Sequence, residues 1–238
     1  MSSAIGRDAL LEAYAVDDRA APRTRMNFVM SLDGAVTIEG RSGPLGDASD
    51  RLAMAALRTL ADVILVGAGT VRVEGYGGVE LEEADVAWRR AHGLPRLPPL
   101  AVVSSRLDLG PEHAFFARAA ERPIVVTHES APADRRAALA EVADVITCGT
   151  DSLDARAMLR ALADAGMPQV LCEGGPRLFG ALLDKDLVDE LCLSLSPTLV
   201  GGDPARMVRG AREAERRMRL VHAMPAGDLL LLRYARSE

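Results

Sequence analysis

The residues best suited to chemistry in this sequence follow short apolar runs that end in glycine. After the apolar run 169–172 come Glu173, Gly174, Gly175 and Pro176, and the proline fits the first position of a helix. Backbone N–H groups of such a turn lie at the positive end of the helix, where they suit a phosphate group. An ordinary strand-to-helix turn is the alternative. The acidic Glu173, for which a plain turn has no need, favours a phosphate-binding turn.

A second strand end carries a weaker signal. The run 63–66 is followed by Gly67, Gly69 and Thr70, in a pattern similar to a dinucleotide-binding fingerprint, but Arg72 occupies the place of the last glycine. The turn permits close approach of a ligand to the backbone. A purely structural turn explains the same glycines equally well.

A third strand end places hydroxyl groups beside a cation. Ser104 and Arg106 follow the apolar run 100–103. Together they could bind a phosphate monoester, such as the 2′-phosphate that distinguishes NADP from NAD. A solvated turn is an equally good interpretation of this segment alone.

Polar residues also interrupt two predicted elements. Asp33 and Gly34 lie within the stretch 26–36, and Arg58 lies within a predicted apolar helix over 51–60. A bulge or turn explains the first pair, and an arginine that extends its charged end into water explains the second feature. Neither observation decides a function by itself.

The spacing of apolar residues predicts an α/β fold. Short apolar strands that alternate with helices indicate parallel βαβ units, and the strands after residue 186 lack long helices between them, which indicates antiparallel pairing. We predict an N-terminal arm over 1–22 and a single domain over 23–238, in which 75–96 carries no clear pattern. Predicted strands cover 26–36, 63–66, 100–103, 124–127, 142–147, 169–172, 190–196, 218–223 and 229–234. Predicted helices cover 51–60, 113–120, 133–140, 154–165 and 176–184, with Asp47 or Ser49 as the cap of the first.

The composition argues against several classes of protein. Lys185 is the one lysine in 238 residues, and no Gly-Lys-Ser/Thr tripeptide is present, which disfavours Schiff-base enzymes and P-loop proteins. A net charge of -6 with eight aromatic residues gives no sign of nucleic-acid binding. The arginine-rich stretch 206–219 also contains glutamates, which is typical of a solvated segment.

Cysteine, histidine and hydropathy patterns point to a reduced compartment. Cys148, Cys172 and Cys192 lie in or beside apolar runs, so we expect buried thiols, and the four histidines are scattered, so we expect no metal site. No apolar run has the length of a membrane span and no secretory signal is evident. We therefore expect a cytoplasmic protein without a membrane partner.

Taken together, these segments resemble the RibD C-terminal family, the reductase domain of bacterial riboflavin biosynthesis. With 73–77 following the Gly69-Thr70 turn, the chain is most similar to stand-alone actinobacterial members. The matching motifs occur in family order: Ser31-Leu32-Asp33-Gly34, Leu57-Arg58, 62–67, Gly69-Thr70-Val71, 173–176, 187–191, Ser196-Pro197 and Gly201-Gly202.

The resemblance implies a fold and a domain content. The family has a dihydrofolate-reductase-like fold, with a mixed, mostly parallel central sheet flanked by helices. The deaminase domain of bifunctional members carries H-x-E and P-C-x-x-C motifs, which do not occur in this sequence. The resemblance therefore implies a reductase domain without a deaminase domain, and it also implies a homodimer.

The family reaction implies NADPH as the cofactor. It reduces 5-amino-6-(5-phosphoribosylamino)uracil to the ribitylamino product by hydride transfer to the opened ribose. By their places in the motifs, Asp33 and Glu74 are candidate catalytic residues. The candidate substrate-binding residues are Asn27, Ser42, Glu173 and, as the phosphate ligand, Arg58. The candidate cofactor-binding residues are Val29, Pro44, Gly67, Gly69, Thr70, Glu74, Ser104, Arg106, Gly174, Gly175, Pro176, Arg177, Leu178, Phe179 and Gly180.

Three features depart from the family pattern. Asn27 stands where many members carry lysine, Glu74 stands where aspartate is usual, and 75–79 replaces a D-P-x-L-x-x-R segment that supplies a substrate arginine. These departures leave two other hypotheses open. One is a reductase of another heterocycle such as dihydrofolate, and the other is an NADP-binding protein without catalytic activity.

Overall fold

One sheet organises the part of the chain that the structure describes. The computed structural model describes residues 5–237. The strands are β1 (Arg23–Ser31), β2 (Val63–Gly67), β3 (Leu100–Val103), β4 (Ile124–Thr127), β5 (Asp144–Thr147), β6 (Gln169–Cys172), β7 (Glu190–Ser196), β8 (Met218–Ala226) and β9 (Leu229–Arg236). The helices are α1 (Arg7–Tyr14), α2 (Ala48–Leu60), α3 (Ala68–Glu74), α4 (Glu83–Ala91), α5 (Ala114–Ala117), α6 (Ala133–Ala140), α7 (Ala155–Asp164) and α8 (Pro176–Leu183).

The strand order across the sheet is β5-β4-β3-β2-β6-β1-β7-β9-β8. The first seven strands of this order pair in parallel, and β9 pairs antiparallel with both β7 and β8. The predicted α/β fold, with a mostly parallel sheet and antiparallel C-terminal strands, is therefore confirmed.

Helices cover both faces of the sheet. On β2, Ile64 and Val66 belong to the core beneath α1 and α2, whereas Val63 and Leu65 belong to the core beneath α7 and α8. Side chains alternate between the faces of a strand, and a central strand of a parallel sheet is buried on both. This double burial explains why the run 63–66 is continuously apolar.

The first strand is shorter than the predicted stretch 26–36. Ser31 Oγ accepts a hydrogen bond from Ala35 N at 2.8 Å, and Ser31 N donates to Ala35 O at 2.8 Å, so the chain turns at Asp33 and Gly34. Gly34 has a φ of 92°, which glycine adopts at low cost. The polar interruption is thus the end of β1, and the prediction of a strand beyond residue 31 is wrong.

The segment predicted as an N-terminal arm contributes to the core. In α1, Leu10, Leu11 and Tyr14 are buried and pack in the same core as Leu57 of α2. Burying these side chains offsets the entropy of ordering the segment. Residues 7–14 of the predicted arm therefore form a helix that belongs to the core, whereas residues 1–4 lie outside the described residues.

The unpatterned segment 75–96 contains a helix that the sequence does not reveal. In α4, Arg89 is fully buried, and its Nη1 donates to the carbonyl oxygens of Thr59 at 2.9 Å and Ala61 at 2.6 Å. The last carbonyls of a helix have no partner within that helix. Arg89 therefore caps α2, so its burial depends on a partner that is distant in sequence.

Two features that would indicate a function are absent from residues 5–237. Among residues 5–237, no group of three or more histidine, cysteine, aspartate or glutamate side chains has an arrangement that could hold a metal ion. None of the described helices combines the length and the apolar character that a membrane span requires.

The stretch 206–217 has no helix or strand, and most of its arginines are exposed.

Candidate cofactor cleft and substrate side

A cleft of about 630 Å³ lies beyond the carboxyl ends of β2, β3 and β6. Parallel strands end at the same edge of a sheet, which is where open α/β sheets bind ligands. The cleft brings together ten of the predicted cofactor-binding residues: Gly67, Gly69, Thr70, Glu74, Ser104, Arg106, Gly175, Pro176, Arg177 and Leu178.

Two glycine turns contact each other at the cleft. Gly67 N donates to Gly174 O at 2.8 Å, and the Gly174–Gly175 peptide is cis. A Cβ atom on Gly175 would lie 2.4 Å from Thr70 Oγ1, and one on Gly174 would lie 3.3 Å from the Phe28 ring. A side chain at 175 would displace the Thr70 hydroxyl and one at 174 would press on the Phe28 ring, so the glycines permit the turn to pack closely against both neighbours.

The start of α8 lies at one of two cationic regions of the cleft. Gly175 is the N-cap and makes no side-chain capping bond, and Pro176 follows it. Arg177 and Arg209 both line the cleft here, and Arg209 N donates to Pro176 O at 3.0 Å. Helix N-termini and guanidinium groups both attract phosphate. Arg209 was missed because its stretch has the composition of a solvated segment.

A second cationic group lies at the end of β3. Asp108 accepts from Arg72 Nη1 at 2.6 Å and pairs with Arg106 Nη2 at 3.1 Å, so one carboxylate holds both guanidinium groups. Ser104 is buried, and its Oγ accepts from Leu107 N at 3.0 Å. Arg72 and Asp108 also line the cleft. The sequence pattern shows Arg72 only as the residue that breaks the glycine fingerprint and gives no sign of Asp108.

Five predicted cofactor-binding residues do not line this cleft. A Cβ on Gly180 would lie 2.0 Å from Arg209 O, so this glycine permits the 209–211 loop to pack on α8. Phe179 is buried with its ring centroid 5.4 Å from that of Phe28. The other three are Val29, Pro44 and Gly174.

A buried ion pair lies directly below the second glycine turn. Arg58 Nε donates to Glu173 Oε1 at 2.7 Å, and Arg58 Nη2 donates to Oε2 at 2.8 Å. Tyr76 OH donates to Oε2 at 2.6 Å. The bidentate geometry and the third donor satisfy a carboxylate whose side chain is 3% exposed. The structure thus directs two nitrogens of Arg58, the predicted phosphate ligand, to Glu173.

These contacts set the charge state of the cluster. Burial works to raise the pKa of Glu173, but the charge and hydrogen bonds of Arg58, with the bond from Tyr76, hold that pKa below its usual range. Burial raises the pKa of Tyr76, and the charge of Glu173 raises it further. Glu173 is therefore ionised, and Tyr76 keeps its proton and remains a donor.

Other predicted residues position loops. Glu74 Oε1 accepts from Ser42 N at 2.9 Å, which joins α3 to the loop before α2. Asp33 accepts from Gly201 N at 2.7 Å and from Ser31 Oγ at 2.5 Å. The hydrogen bond from Ser31, together with backbone bonds that include Gly201 N, lowers the pKa of Asp33 to about 2. These contacts favour a loop-positioning role for Asp33, which does not line the cleft.

The overall match to known proteins agrees with this arrangement. Residues 22–232 match the RibD C-terminal domain family. The chain belongs to this family. A 2,5-diamino-6-ribosylamino-4(3H)-pyrimidinone 5′-phosphate reductase of Methanothermobacter thermautotrophicus is 30% identical to it over 219 residues, which are 90% of this chain and 97% of that protein.

Solved structures support the fold of this RibD C-terminal domain. A pyrimidine reductase-like protein of Corynebacterium diphtheriae is 27% identical, with a TM-score of 0.82 over 91% of this chain and 92% of that one. Dihydrofolate reductase of Enterococcus faecalis, 14% identical, has a TM-score of 0.50 over 91% of this chain and 97% of its own. The predicted family and the dihydrofolate-reductase-like fold are therefore confirmed.

The contact from Tyr76 arises in a segment where this RibD C-terminal domain departs from the family motif. Gly75 ends α3 with a φ of 76°, and the chain then brings the Tyr76 hydroxyl to Glu173, 97 positions away in sequence. The sequence offered one signal, a single tyrosine between glycines, and no indication of its partner. The segment 75–79 thus places a hydroxyl donor beside a predicted substrate-side carboxylate.

Proposed function

We propose that this chain is an NADPH-dependent reductase of the riboflavin pathway that acts on a 5-amino-6-ribosylaminopyrimidine 5′-phosphate. The observation that carries the proposal is the pair of glycine turns, at Gly67 and Gly174–Gly175, which meet at the cleft in a RibD C-terminal domain. The reductase named for M. thermautotrophicus supports the class of substrate. The uracil form expected from the family reaction is one member of this class.

The cleft has the donors that a dinucleotide phosphate requires. Its volume of about 630 Å³ lies within the range of about 300–1,000 Å³ typical of small-molecule sites. We assign the pyrophosphate to the start of α8, with Arg177 and Arg209, and the 2′-phosphate to Arg72 and Arg106. The absence of side chains at Gly67 and Gly175 lets the two turns pack against each other where they border the cleft.

The chemistry requires orientation rather than a protein nucleophile. When bound, NADPH would supply a hydride to the carbon of the C=N bond that the opened ribose would form with the amino nitrogen of the pyrimidine, and that nitrogen would gain a proton. The chain binds the two partners and holds them in register. Arg58 and Tyr76 keep the Glu173 carboxylate ionised. Their hydrogen bonds to it hold the turn that leads into Gly174 and Gly175.

Turnover of the phosphorylated substrate tests the proposal. Purified protein is mixed with NADPH and the ribosylaminopyrimidine 5′-phosphate, the loss of reduced nicotinamide is followed by absorbance, and the ribitylamino product is identified by mass spectrometry. We expect oxidation of NADPH that depends on substrate and matches product one to one. Intact NADPH binding without turnover of either ring form, uracil or 2-aminopyrimidinone, contradicts the assigned pathway.

The two alternative hypotheses predict other outcomes of the same assay. A reductase of another heterocycle would oxidise NADPH with dihydrofolate and leave the pyrimidine phosphates unchanged. A non-catalytic NADP-binding protein would bind NADPH by calorimetry and transfer hydride to none of these acceptors.

The preference for NADPH over NADH has its own test. We expect Arg106→Ala and Arg72→Ala to raise the KM for NADPH about tenfold or more and to change the KM for NADH little, because NADH lacks the 2′-phosphate. The control is Arg122→Ala, an exposed arginine that pairs with Asp144 away from the cleft. Equal changes for the two cofactors would contradict the assignment of this end of the cleft.

We further propose that the protein acts in the cytoplasm as a homodimer. Its three cysteines are free and buried, which suits a reducing compartment. The homodimer is expected from the family resemblance, and β8 leaves one edge of the sheet open, with Leu220 and Val221 exposed. Sedimentation equilibrium over a range of concentrations distinguishes a dimer from the monomer mass of 25.3 kDa.

A further inference from the structure

The 198–211 loop, which joins β7 to β8, contributes two lining residues to the cofactor cleft. It contains no helix or strand, and its residues Ala205 and Arg209 border the cleft. Arg209 is exposed, and an exposed arginine samples many rotamers. Binding a ligand with such a side chain costs less where its backbone is already fixed. The contacts that fix this loop therefore bear on cofactor binding.

Asp33 holds the start of this loop. Its Oδ2 accepts from Gly201 N at 2.7 Å and from Val200 N at 3.1 Å. Leu32 N, one position earlier, donates to Thr198 O at 2.9 Å. Hydrogen bonds from N–H groups to an ionised carboxylate are roughly twice as strong as those between neutral groups. The turn that follows β1 therefore fixes the loop over residues 198–201.

The charge of Asp33 suits this role. The hydrogen bond from Ser31 Oγ, together with those from Gly201 N and Val200 N, lowers the pKa of Asp33 to about 2. A residue that donates a proton during turnover works best with a pKa close to the working pH. Asp33 instead remains an ionised acceptor for the N–H groups of the loop near neutral pH.

The segment that follows the Asp33 turn holds the middle of the loop. Val36 is buried, and its N–H group donates to Ala205 O at 3.3 Å. Thr37 and Gly40, which come next in this segment, also line the cleft. The chain that leaves the Asp33 turn thus supports the loop and forms part of the cleft.

The end of the loop lies on α8. Arg209 N donates to Pro176 O at 3.0 Å, and a Cβ atom on Gly180 would lie 2.0 Å from Arg209 O and 3.2 Å from Ala211 N. Alanine is the better helix former, so helix stability does not explain a glycine at position 180. Gly180 permits the loop backbone to lie against the helix, which brings Arg209 to the start of α8.

We propose that Asp33 and Gly180 are positioning residues for the dinucleotide, which hold Arg209 in place from the two ends of the 198–211 loop. The inference rests on the proposed function, which assigns the pyrophosphate to the start of α8 with Arg209. Asp33 and Gly180 do not line the cleft themselves, so they act on the cofactor through the loop. NADPH and NADH share the pyrophosphate, so both cofactors depend on this arrangement to the same degree.

Calorimetric titration with NADPH and with NADH tests the proposal in the absence of substrate. We expect Asp33→Ala to raise the Kd about threefold to tenfold, because the loop loses a charged acceptor. Gly180→Ala should raise the Kd about tenfold, because its methyl group displaces Arg209 O. The factor should be the same for both cofactors, in contrast to that of Arg106→Ala. An unchanged Kd in either variant, or a change confined to NADPH, overturns the proposal.

A double-mutant cycle tests whether the two residues act through Arg209. Arg209→Ala removes the guanidinium group that the loop positions. In that background, Asp33→Ala and Gly180→Ala should each change the Kd by less than about twofold. Effects that multiply with that of Arg209→Ala would show an independent route to the cofactor and overturn the proposal.

Kinetics and a control variant separate positioning from chemistry and from folding. At saturating NADPH, we expect the kcat of Asp33→Ala to stay within about twofold of the wild type. A fall in kcat of about a hundredfold with an unchanged Kd would place Asp33 in proton transfer and overturn the proposal. The control is Asp228→Ala, which removes an exposed carboxylate between β8 and β9 and should retain the wild-type Kd. Equal rises of the Kd in Asp33→Ala and Asp228→Ala also overturn the proposal.

The outcomes distinguish failure of this inference from failure of the proposed function. If NADPH binds but neither pyrimidine phosphate is reduced, the assigned pathway is contradicted, and the calorimetric comparison still decides the roles of Asp33 and Gly180. If both phosphates are reduced and the two variants bind NADPH as the wild type does, the inference alone fails. An affinity that Arg209→Ala leaves unchanged contradicts the pyrophosphate assignment and the inference with it.

Discussion

At the scale of single residues, Gly175 lies where the two strand-end turns meet, against the Thr70 side chain. A methyl group on Gly175 would lie 2.4 Å from Thr70 Oγ1, well inside contact distance. We expect Gly175→Ala to weaken NADPH binding about tenfold or more, because overpacking costs about 1–3 kcal/mol and shifts the start of α8. Gly175→Asp should weaken binding further through repulsion of the pyrophosphate. Isothermal titration calorimetry with NADPH measures both effects.

The control for this prediction is Gly6→Ala. A Cβ on Gly6 meets nothing within 4 Å, and Gly6 lies before α1, outside the cleft. We expect this variant to bind NADPH as the wild type does. Wild-type affinity in Gly175→Ala would contradict the assignment of the 174–180 turn to the cofactor.

At the scale of elements, the position of α2 depends on α4. The buried guanidinium of Arg89 donates to the carbonyls of Thr59 and Ala61, and its Nε donates to Pro95 O at 2.8 Å. We expect Arg89→Met to lower the free energy of unfolding by about 3 kcal/mol or more, because several buried carbonyls lose their donor. Denaturation in urea measures this, and activity should fall as well, since α2 carries Arg58.

The neighbouring residue provides a matched control for the helix cap. Arg90 is exposed on the same helix, so Arg90→Met should change the free energy of unfolding by about 0.5 kcal/mol or less. Similar destabilisation in the two variants would indicate that α4 contributes through its general helix stability and not through the cap.

At the scale of the whole molecule, one buried carboxylate joins three strands and the N-terminal helix. Glu190 on β7 pairs with Arg25 Nε at 2.7 Å and Arg233 Nη2 at 2.8 Å, and Arg23 pairs with it as well. Arg233 Nη1 also donates to Ala13 O in α1 at 2.7 Å. Burial works to raise the pKa of Glu190, but the hydrogen bond from Arg233 and the charges of Arg25 and Arg233 hold it below 4.5.

This depressed pKa predicts a stability that depends on pH. The unfolded chain binds the proton of Glu190 at a higher pH than the folded chain does, so the stabilisation is complete above about 4.5 and is lost as pH falls through the folded pKa. We expect Glu190→Gln to lower the free energy of unfolding by about 3–5 kcal/mol at neutral pH. Below about pH 4.5, the free energy of unfolding of this variant should fall less steeply with decreasing pH than that of the wild type.

The exposed Glu129 provides the control for the Glu190 measurement. Glu129→Gln should leave both the neutral stability and its dependence on pH close to those of the wild type. The measurement is urea denaturation at a series of pH values. If wild type and Glu190→Gln lose stability in parallel as the pH falls, the acid sensitivity has its origin in other carboxylates.

The sequence alone determined most of the elements and the strand ends. The bounds of β3, β4, β6 and β7 agree with the predicted runs. β3 and β4 are almost entirely apolar because they are buried on both faces, whereas β7 alternates apolar residues with Ser194 and Ser196. The glycines at 67 and 174–175 could be identified from the sequence as turns because each directly follows an apolar run. Parallel pairing then requires these turns to share one edge, so most residues of the candidate cleft could be predicted from the sequence.

The tertiary structure alone decided which distant side chains meet. Arg58, Tyr76 and Glu173 form one cluster although up to 115 positions separate them, and Arg209 reaches the cleft from a stretch that resembles a solvated loop. Composition and periodicity report which face of its own element a residue occupies, whereas the partner across a packed interface depends on how all the elements assemble. The charge state of Glu173 and the cap that Arg89 provides follow from that packing.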